Sequence, residues 1–424
     1  MPEKTQSTSS DEMAGDEMPG TVMAGTVVRL AARGDGVTGD GRHVPGAAPL
    51  DVVDAAGHIT PGPNRAVPPC RHYGDCGGCQ LQHVGEGALA DFARERVLAP
   101  LRRHGLVPAE VRPAHLSPAA ARRRAVLRAT RSGGAVRLGF NAMGEHRIVD
   151  LAECPVLHPA LARLLAPLRT LLAPALTPGS ALSLALTLTD HGVDLLLSNL
   201  KARDLPRIDG LVDFADREGL ARLSVDRGLG AETLVARADP AVRFGGVAVT
   251  LPPAAFLQAT ADGEAALVAA VRACVGKAAK VADLFSGCGT FSLPLAAEAR
   301  VTAVDGTGPA IRALDMAARR AGLHLATEHR DLFRKPLSPA ELARFDAVVI
   351  DPPRAGAEAQ CRALAASRVE VVAAVSCNPA TFARDAMVLV AGGYRLRRIW
   401  PVAQFRWSTH VELVAEFRRE KRRS

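Results

Sequence analysis

The chain has 424 residues, 48% of them hydrophobic, enough for two or three domains around sizeable cores. No apolar run approaches the ~20 residues of a membrane-spanning helix, which argues against an integral membrane protein. Lysine and arginine outnumber aspartate and glutamate by 52 to 44, and the formal charge of +8 fits a polyanionic partner, most simply a nucleic acid.

Residues 1–24 are polar, acidic and rich in Ser, Gly and Met, without the basic and apolar regions of a secretory signal. They read as a disordered tail on a cytosolic protein. Eight cysteines in that setting argue against a disulfide framework and for metal, cluster or catalytic use. Residues 25–54 alternate short apolar strands with glycine-rich turns, the pattern of a small OB-like β-barrel, and Pro61 to Pro69 form a linker. Only 16 residues separate Val53 from Cys70, so this 25–69 domain is reduced by a strand or more.

Cys70, Cys76 and Cys79 then sit on one tight glycine-rich loop. Three thiolates so placed can wrap a soft metal centre, and zinc or an iron–sulfur cluster would each need a fourth ligand. Cys154, followed by Pro155, is the candidate. Three unrelated thiols is the plainer alternative, but two glycines between Cys76 and Cys79 suit a backbone bent around a cluster.

An amphipathic helix is expected over 89–104. Arg122, Arg123 and Arg124 open a strand-like stretch that runs through Val136–Phe140, and 181–199 reads as a hairpin turning at Asp190-His191-Gly192. Residues 70–250 are expected to form a mainly β domain carrying the cluster, its basic strands facing outward toward RNA. From Lys280 the period changes to strand–helix alternation, the pattern of a doubly wound α/β sheet. Strands are expected at 280–285, 300–305, 324–330, 346–351 and 370–376, with helices at 309–321, 358–367 and 379–391. The closing strands 394–402 and 410–418 have no helix between them and should pair antiparallel.

The chemistry gathers at the ends of those strands. Asp283-Leu284-Phe285-Ser286-Gly287-Cys288-Gly289-Thr290-Phe291 is strand, glycine turn, then helix, where backbone can approach a ligand closely. Ser292 replaces the third glycine of a dinucleotide fingerprint, which disfavours NAD and favours a nucleoside without a pyrophosphate. Asp305 ends the second strand, where it can accept ribose hydroxyls, and Asp331 ends the third, within reach of an adenine amino group. Each alone is as easily a turn residue; together at successive strand ends they point to S-adenosylmethionine.

A further strand ends Val348-Val349-Ile350-Asp351-Pro352-Pro353-Arg354. The next ends in Cys377, before Asn378 and Pro379, a favourable N-cap and first helical residue. A lone cysteine is most simply a buried structural thiol, but a helix N-terminus favours the nucleophilic thiolate. A methyl donor needs a cysteine only when the acceptor is poor. Uracil C5 is such an atom, and thiolate addition at C6 makes it an enolate carbon able to attack. A base must then remove the C5 proton, and Glu412, at the start of the last strand, is placed for that. By itself it is equally well a surface salt-bridge residue.

These residues resemble the S-adenosylmethionine-dependent RNA 5-methyluridine methyltransferases, above all the bacterial 23S ribosomal RNA enzymes with a [4Fe–4S] cluster. The resemblance runs from about residue 25 to the end. It rests on Cys-Gly-Gly-Cys-Gln-Leu-Gln-His at 76–83, Ile-Val-Asp-Leu-Ala-Glu-Cys-Pro-Val-Leu at 148–157, Phe-Leu-Gln-Ala-Thr at 256–260 and the glycine turn at 283–291. Asp-Pro-Pro-Arg-Ala-Gly at 351–356, Ser-Cys-Asn-Pro-Ala-Thr at 376–381 and His-Val-Glu at 410–412 complete it. It implies a Rossmann-like catalytic domain over 251–424, a central cluster domain over 70–250 and an RNA-binding TRAM barrel over 25–69. Cys377 would be the nucleophile and Glu412 the base, and Cys70, Cys76, Cys79 and Cys154 would hold the cluster. Gln258, Phe285, Thr290, Asp305, Asp331 and Asp351 would line the pocket for cofactor and target base, into which a flipped uridine must enter.

Two positions depart from the family pattern: Thr260 replaces the usual Asn, and Asp305 the commoner Glu. The implied protein is a monomer with no obligatory protein partner that methylates 23S ribosomal RNA. The alternatives are a tRNA-directed member of the family, which the cluster cysteines disfavour, and a non-catalytic iron–sulfur RNA-binding protein, which the intact Cys377 and Glu412 disfavour.

Overall fold

The computed structural model describes residues 25–132, 134–199 and 208–420, so the acidic tail expected over 1–24 lies outside the described residues. The N-terminal unit is two small antiparallel sheets: β1 (Val27–Leu30), β2 (Gly36–Thr38) and β3 (His43–Val44), then β4 (Val52–Val53) with β5 (Ile59–Thr60). The Thr26–Val52 bridge joins them. Its apolar core is little more than Val27, Ala47 and Val53. A buried carboxylate does much of the closing instead. Asp51 accepts hydrogen bonds from the Ala48 and Gly62 amides, each at 2.7 Å, and pairs with Arg65 at 2.6 Å. The small barrel anticipated from the glycine-turn pattern is therefore found as two short ladders held around one aspartate.

Helix α1 (Glu86–Arg103) buries Leu89, Phe92, Ala93, Val97 and Leu101, one face at a spacing of three and four. That face joins the same core as the C-terminal sheet. The following short strands β6 (Glu110–Val111) and β7 (His115–Leu116) pair parallel with the far strand of that sheet. The 86–116 segment, expected within the central domain, belongs instead to the C-terminal layer.

The central domain is a six-stranded sheet of order β13-β12-β11-β10-β8-β9. Its elements are β8 (Arg124–Ser132), β9 (Ala135–Gly139), α2 (Pro159–Ala162), α3 (Leu165–Leu172), β10 (Ala181–Thr189), β11 (Gly192–Ser198), α4 (Ile208–Arg217), β12 (Leu220–Asp226) and β13 (Ala231–Ala236). The stretch beginning at Arg124 is a hairpin, and β10–β11 turns at Asp190 and His191 as expected. Only β11 and β12 pair parallel, because α4 lies in the connection between them. A leucine-rich core under α3 and α4 fills one face.

The hairpin β14 (Ala241–Phe244) and β15 (Val247–Thr250) leads into the C-terminal domain. There follow α5 (Ala261–Val275), β16 (Lys280–Leu284), α6 (Ser292–Ala296), β17 (Arg300–Asp305), α7 (Gly308–Arg320), β18 (Leu325–His329), α8 (Pro339–Leu342), β19 (Ala347–Ile350), α9 (Glu358–Ala366), β20 (Val371–Ser376), α10 (Pro379–Ala391), β21 (Tyr394–Ala403) and β22 (Glu412–Arg419). The sheet order is β18-β17-β16-β19-β20-β22-β21-β6. Strands β18 to β20 in that order are parallel, whereas β22 inserts antiparallel between β20 and β21. All residues of β19 and β20 are buried, which is why they read as unbroken apolar runs. The strand order reverses at β16, so a crevice opens at the carboxyl ends of β16, β17 and β19, where open α/β sheets bind ligands. Among the described residues no helix is long and apolar enough to cross a membrane.

Candidate active site

At the end of β16 the chain makes a strained turn. Phe285 has φ 63°, an unfavourable region for a bulky side chain, followed by Gly287 and Gly289 at φ 55° and 100°. A Cβ on Gly289 would come within 2.5 Å of the Leu314 side chain, so α6 and α7 can approach this turn only around a glycine. Asp305, at the end of β17, accepts hydrogen bonds from the Gly287 amide at 2.9 Å and the Thr307 amide at 2.6 Å. It therefore shapes the turn and leaves its remaining lone pairs for a ligand. Thr290 closes the turn, half-buried. Asp331, exposed beyond β18, accepts from the Phe333 and Arg334 amides at 3.0 and 3.2 Å. The ring of Phe333 lies 5.4 Å from that of Phe285, so an aromatic pair stands beside the crevice. Phe333 was not anticipated, although Asp331-Leu332-Phe333 repeats the Asp283-Leu284-Phe285 pattern at an equivalent strand end.

Below this rim lie three more acids, Asp283 and Glu412 buried and Asp351 half-buried. Asp283 is wholly enclosed and accepts a hydrogen bond from Ser292, yet burial still pushes its carboxyl up to about 7. Ser292, read from sequence only as a missing glycine, has a positive use as that donor. Asp351, just past β19, is raised well above the usual carboxylate range by burial and by the nearby charges of Glu412 and Asp283. Glu412 is also buried and pushed up to about 7, the rise opposed by the neighbouring Gln404. Its Oε2 has no partner among the described residues.

The β20–β22 ladder pairs Ser376 with Leu413, so its next step sets Cys377 across from Glu412. Asn378 caps α10 by accepting from the Ala380 amide at 3.1 Å, and its own amide reaches the Arg354 carbonyl at 3.0 Å. The helix N-terminus does not decide the state of Cys377. Burial, then Glu412 and Asp351, push its thiol up, against the pull of Arg354. Desolvation and two acids thus oppose the thiolate that the helix N-terminus favours.

Gln258 lies in the loop before α5, buried against Gln404, whose Nε2 donates to Gln258 Oε1 at 2.6 Å. Thr260 caps α5 through the Gly263 amide at 3.1 Å and bonds Ser117 at 2.9 Å. Its hydroxyl can cap the helix start as an asparagine can, if less strongly.

Cys70, Cys76, Cys79 and Cys154 line one cavity together with Arg122 and Phe140. Among the described residues no three His, Cys, Asp or Glu side chains form a group able to hold a metal ion. Burial pushes the Cys79 thiol up to about 12 and raises Cys76 and Cys154 as well. The Trp407 carbonyl, presented by a residue with φ 58°, accepts from the Gln80 and Leu81 amides at 2.8 and 2.9 Å, tying the cysteine loop to the catalytic domain.

The arginine triplet is not an outward RNA face. The Arg122 guanidinium stacks 5.9 Å from the Phe140 ring and 5.5 Å from the Phe405 ring, bridging the cysteine cavity and the catalytic edge. Arg123 pairs with buried Glu264 at 2.6 Å and donates to the Gln258 carbonyl at 3.2 Å. Arg124 lies over Phe256. Planar guanidinium groups stack on rings where lysine would stay in water, so this basic run became an interdomain strut. Arg123→Met should destabilise the protein by roughly 3–5 kcal/mol, since it strands a buried carboxylate. Thermal unfolding measures this, and a loss below about 1 kcal/mol would show that Glu264 reaches water.

A sheet edge carrying a strained glycine turn, successive acids and a cysteine–glutamate pair defines an S-adenosylmethionine-dependent methyltransferase. A family model described as tRNA (Uracil-5-)-methyltransferase matches residues 250–419. An uncharacterized RNA methyltransferase of Zymomonas mobilis is 44% identical over 390 residues, covering 92% of this chain and 98% of that one. The 23S rRNA (uracil(1939)-C(5))-methyltransferase of Chromohalobacter salexigens is 36% identical, over 86% of this chain and 78% of its own. In fold, the Pyrococcus abyssi tRNA (uracil-54, C5)-methyltransferase, solved with S-adenosyl-L-homocysteine, superposes with a TM-score of 0.73 at 24% identity. It covers 93% of this chain and 100% of its own. The chain belongs to the RNA uracil-C5 methyltransferase family.

Proposed function

We propose that this protein methylates C5 of one uridine in 23S ribosomal RNA through a covalent adduct, working as a monomer in the cytosol. The observation that carries the reading is Glu412, buried with one unpartnered oxygen, across the ladder from Cys377. Cys377 loses its proton to solvent, helped by the charge of Arg354, and its Sγ bonds to C6 of the flipped base. The electron pair of the C5=C6 bond moves onto the C4 carbonyl oxygen. Returning, it lets C5 take the methyl group, whose former bond pair stays on the sulfur of the departing S-adenosylhomocysteine. Glu412 then accepts the C5 proton, the C5=C6 bond re-forms, and Cys377 leaves as thiolate. Gln258, Phe285, Thr290, Asp305, Asp331 and Asp351 would hold the methyl donor and line the pocket for the target base.

The 23S rRNA relative supports the ribosomal target, and the tRNA enzyme of similar fold keeps tRNA as the second reading. Mapping 5-methyluridine in total RNA from cells with and without the gene tests both. Loss of one site in 23S rRNA is expected; loss from tRNA would move the substrate, and no loss anywhere would end the proposal.

Cys70, Cys76, Cys79 and Cys154 would hold a [4Fe–4S] cluster. A cubane takes its four thiolates at four separate irons, so they need to line one cavity without closing on a single point, as these do. Such a cluster would supply a structural cross-link between the cysteine loop and Cys154. Protein purified without air should carry about four irons per chain; stoichiometric zinc and no iron would overturn the assignment.

A further inference from the structure

We infer that Phe333 is a cofactor-contacting residue whose ring stacks on the adenine of the methyl donor, beside Asp331. The inference rests on the S-adenosylmethionine reading above, with Asp305 at the ribose and Asp331 at the adenine amino group. The turns that carry the two acids touch. A Cβ on Gly306 would lie 3.5 Å from the Asp331 Cα, so the ends of β17 and β18 meet with no side chain between them. The Phe333 and Arg334 amides both donate to Asp331 Oδ1, at 3.0 and 3.2 Å, which leaves Oδ2 for a ligand N–H.

Phe333 sits on a closed turn. The Lys335 amide donates to the Asp331 carbonyl at 2.8 Å, and Arg330 Nε donates to the Lys335 carbonyl at 2.8 Å. Arg330 is itself held by Glu341 at 2.7 Å. Leu332 anchors the turn in the core, 3% exposed, whereas Phe333 is 51% exposed. A single exposed apolar side chain needs no explanation on its own. This one is fixed on a hydrogen-bonded turn, with the Phe285 ring 5.4 Å away and inclined at 54°. Phe285 belongs to the strained turn of β16, so turns at two strand ends bring their rings together at the ligand edge. Such a surface suits a flat partner, and a purine stacked on it keeps its edge free to meet the Asp331 oxygen. The target base is a poorer candidate. Strand β18 lies four strand spacings from β20, on the order of 19 Å, so the turn serves the nucleoside end of the donor and not the uracil at Cys377.

Calorimetric titration of the full-length protein with S-adenosylhomocysteine, without RNA, tests this. Phe333→Ala is expected to weaken binding about tenfold, as loss of one aromatic ring from under a base implies, and Phe333→Tyr to keep it near wild type. S-inosylhomocysteine, with a carbonyl oxygen in place of the adenine amino group, separates stacking from a merely structural role. Wild type should bind it more weakly than S-adenosylhomocysteine, because that oxygen would meet the Asp331 carboxylate instead of an N–H. Stacking takes either base by its face, so Phe333→Ala should lower both affinities by the same factor and preserve their ratio. Unchanged binding of S-adenosylhomocysteine by Phe333→Ala would overturn the inference, as would a Phe333→Tyr protein as weak as the alanine variant. Loss of the ratio in Phe333→Ala would overturn it too, since Phe333 would then only hold the turn of Asp331. A wild type that binds both ligands equally would place the base away from Asp331 and have the same consequence. Wild type that binds neither would instead defeat the S-adenosylmethionine reading itself.

Discussion

Cys377→Ala should neither methylate RNA nor form a covalent complex with it, whereas Glu412→Gln should form the complex and fail to release it. Both effects follow from the order of events. C5 of uracil is a poor nucleophile until a thiolate adds to C6, so removing Sγ stops the reaction before any bond forms. Glu412 is needed only after methyl transfer. Glutamine keeps its volume but cannot take the C5 proton, and losing a positioned base costs roughly 10²–10⁴ in the step it serves. On a denaturing gel the glutamine variant should carry a tethered, methylated RNA whose formation needs S-adenosylmethionine. Wild type should be trapped in the same way by 5-fluorouridine RNA, because fluorine cannot leave as a cation. Normal turnover by Glu412→Gln would transfer the role to another group. His410 is the nearest alternative by sequence, and burial and the surrounding arginines lower its pKa, leaving it neutral and able to accept a proton. Methylation by Cys377→Ala would remove the covalent step altogether.

The parts of this site legible in the sequence are those set by local pattern. Buried parallel strands must be continuous apolar runs, and the polar residue ending each run must lie at the ligand edge. Asp305, Asp351 and Cys377 could therefore be placed from period alone, and the antiparallel closing strands followed from the missing helix between them. What could not be read depends on contacts between distant residues. Gln404 meets Gln258 across 146 positions, and nothing around Gln404 marks it as polar and buried. The arginine triplet looked like an RNA face because charge pattern reports composition, not partners. Only the folded chain shows that Phe140, Phe405 and Glu264 are waiting for it. The raised thiol of Cys377 has the same origin, since burial and then two acids from separate strands push it up. Helix α1 was recognised, but its owner was not. An amphipathic period gives the apolar face and says nothing of which sheet will cover it.

Glu412→Gln should also make the folded protein more stable than wild type at alkaline pH. The carboxyl has an ordinary value of 4.5 and is pushed up to about 7 by burial in the native state. Between those values the folded chain keeps a proton that the unfolded chain has released. The unfolded state binds fewer protons there, so stability falls as pH rises from about 4.5 to about 7 and is fully lowered above it. The difference corresponds to a cost on the order of 3 kcal/mol at pH above 7. Glutamine, neutral throughout, escapes it. Denaturant unfolding of the two proteins should coincide near the low end of this window and separate steadily toward the high end. Equal stability at both ends would mean that water reaches the carboxylate and that its pKa is ordinary. Asp283→Asn should behave alike, its carboxyl being raised from 3.8 to about 7 with only Ser292 as donor. The two substitutions should not add, because Asp351 lies between them electrostatically and loses a repulsive neighbour in either variant. The destabilising window is also the one in which Glu412 becomes a competent base. Release of the methylated RNA should therefore accelerate with pH over the same range in which the wild-type fold weakens, and the burial that tunes the base is what costs the fold its stability.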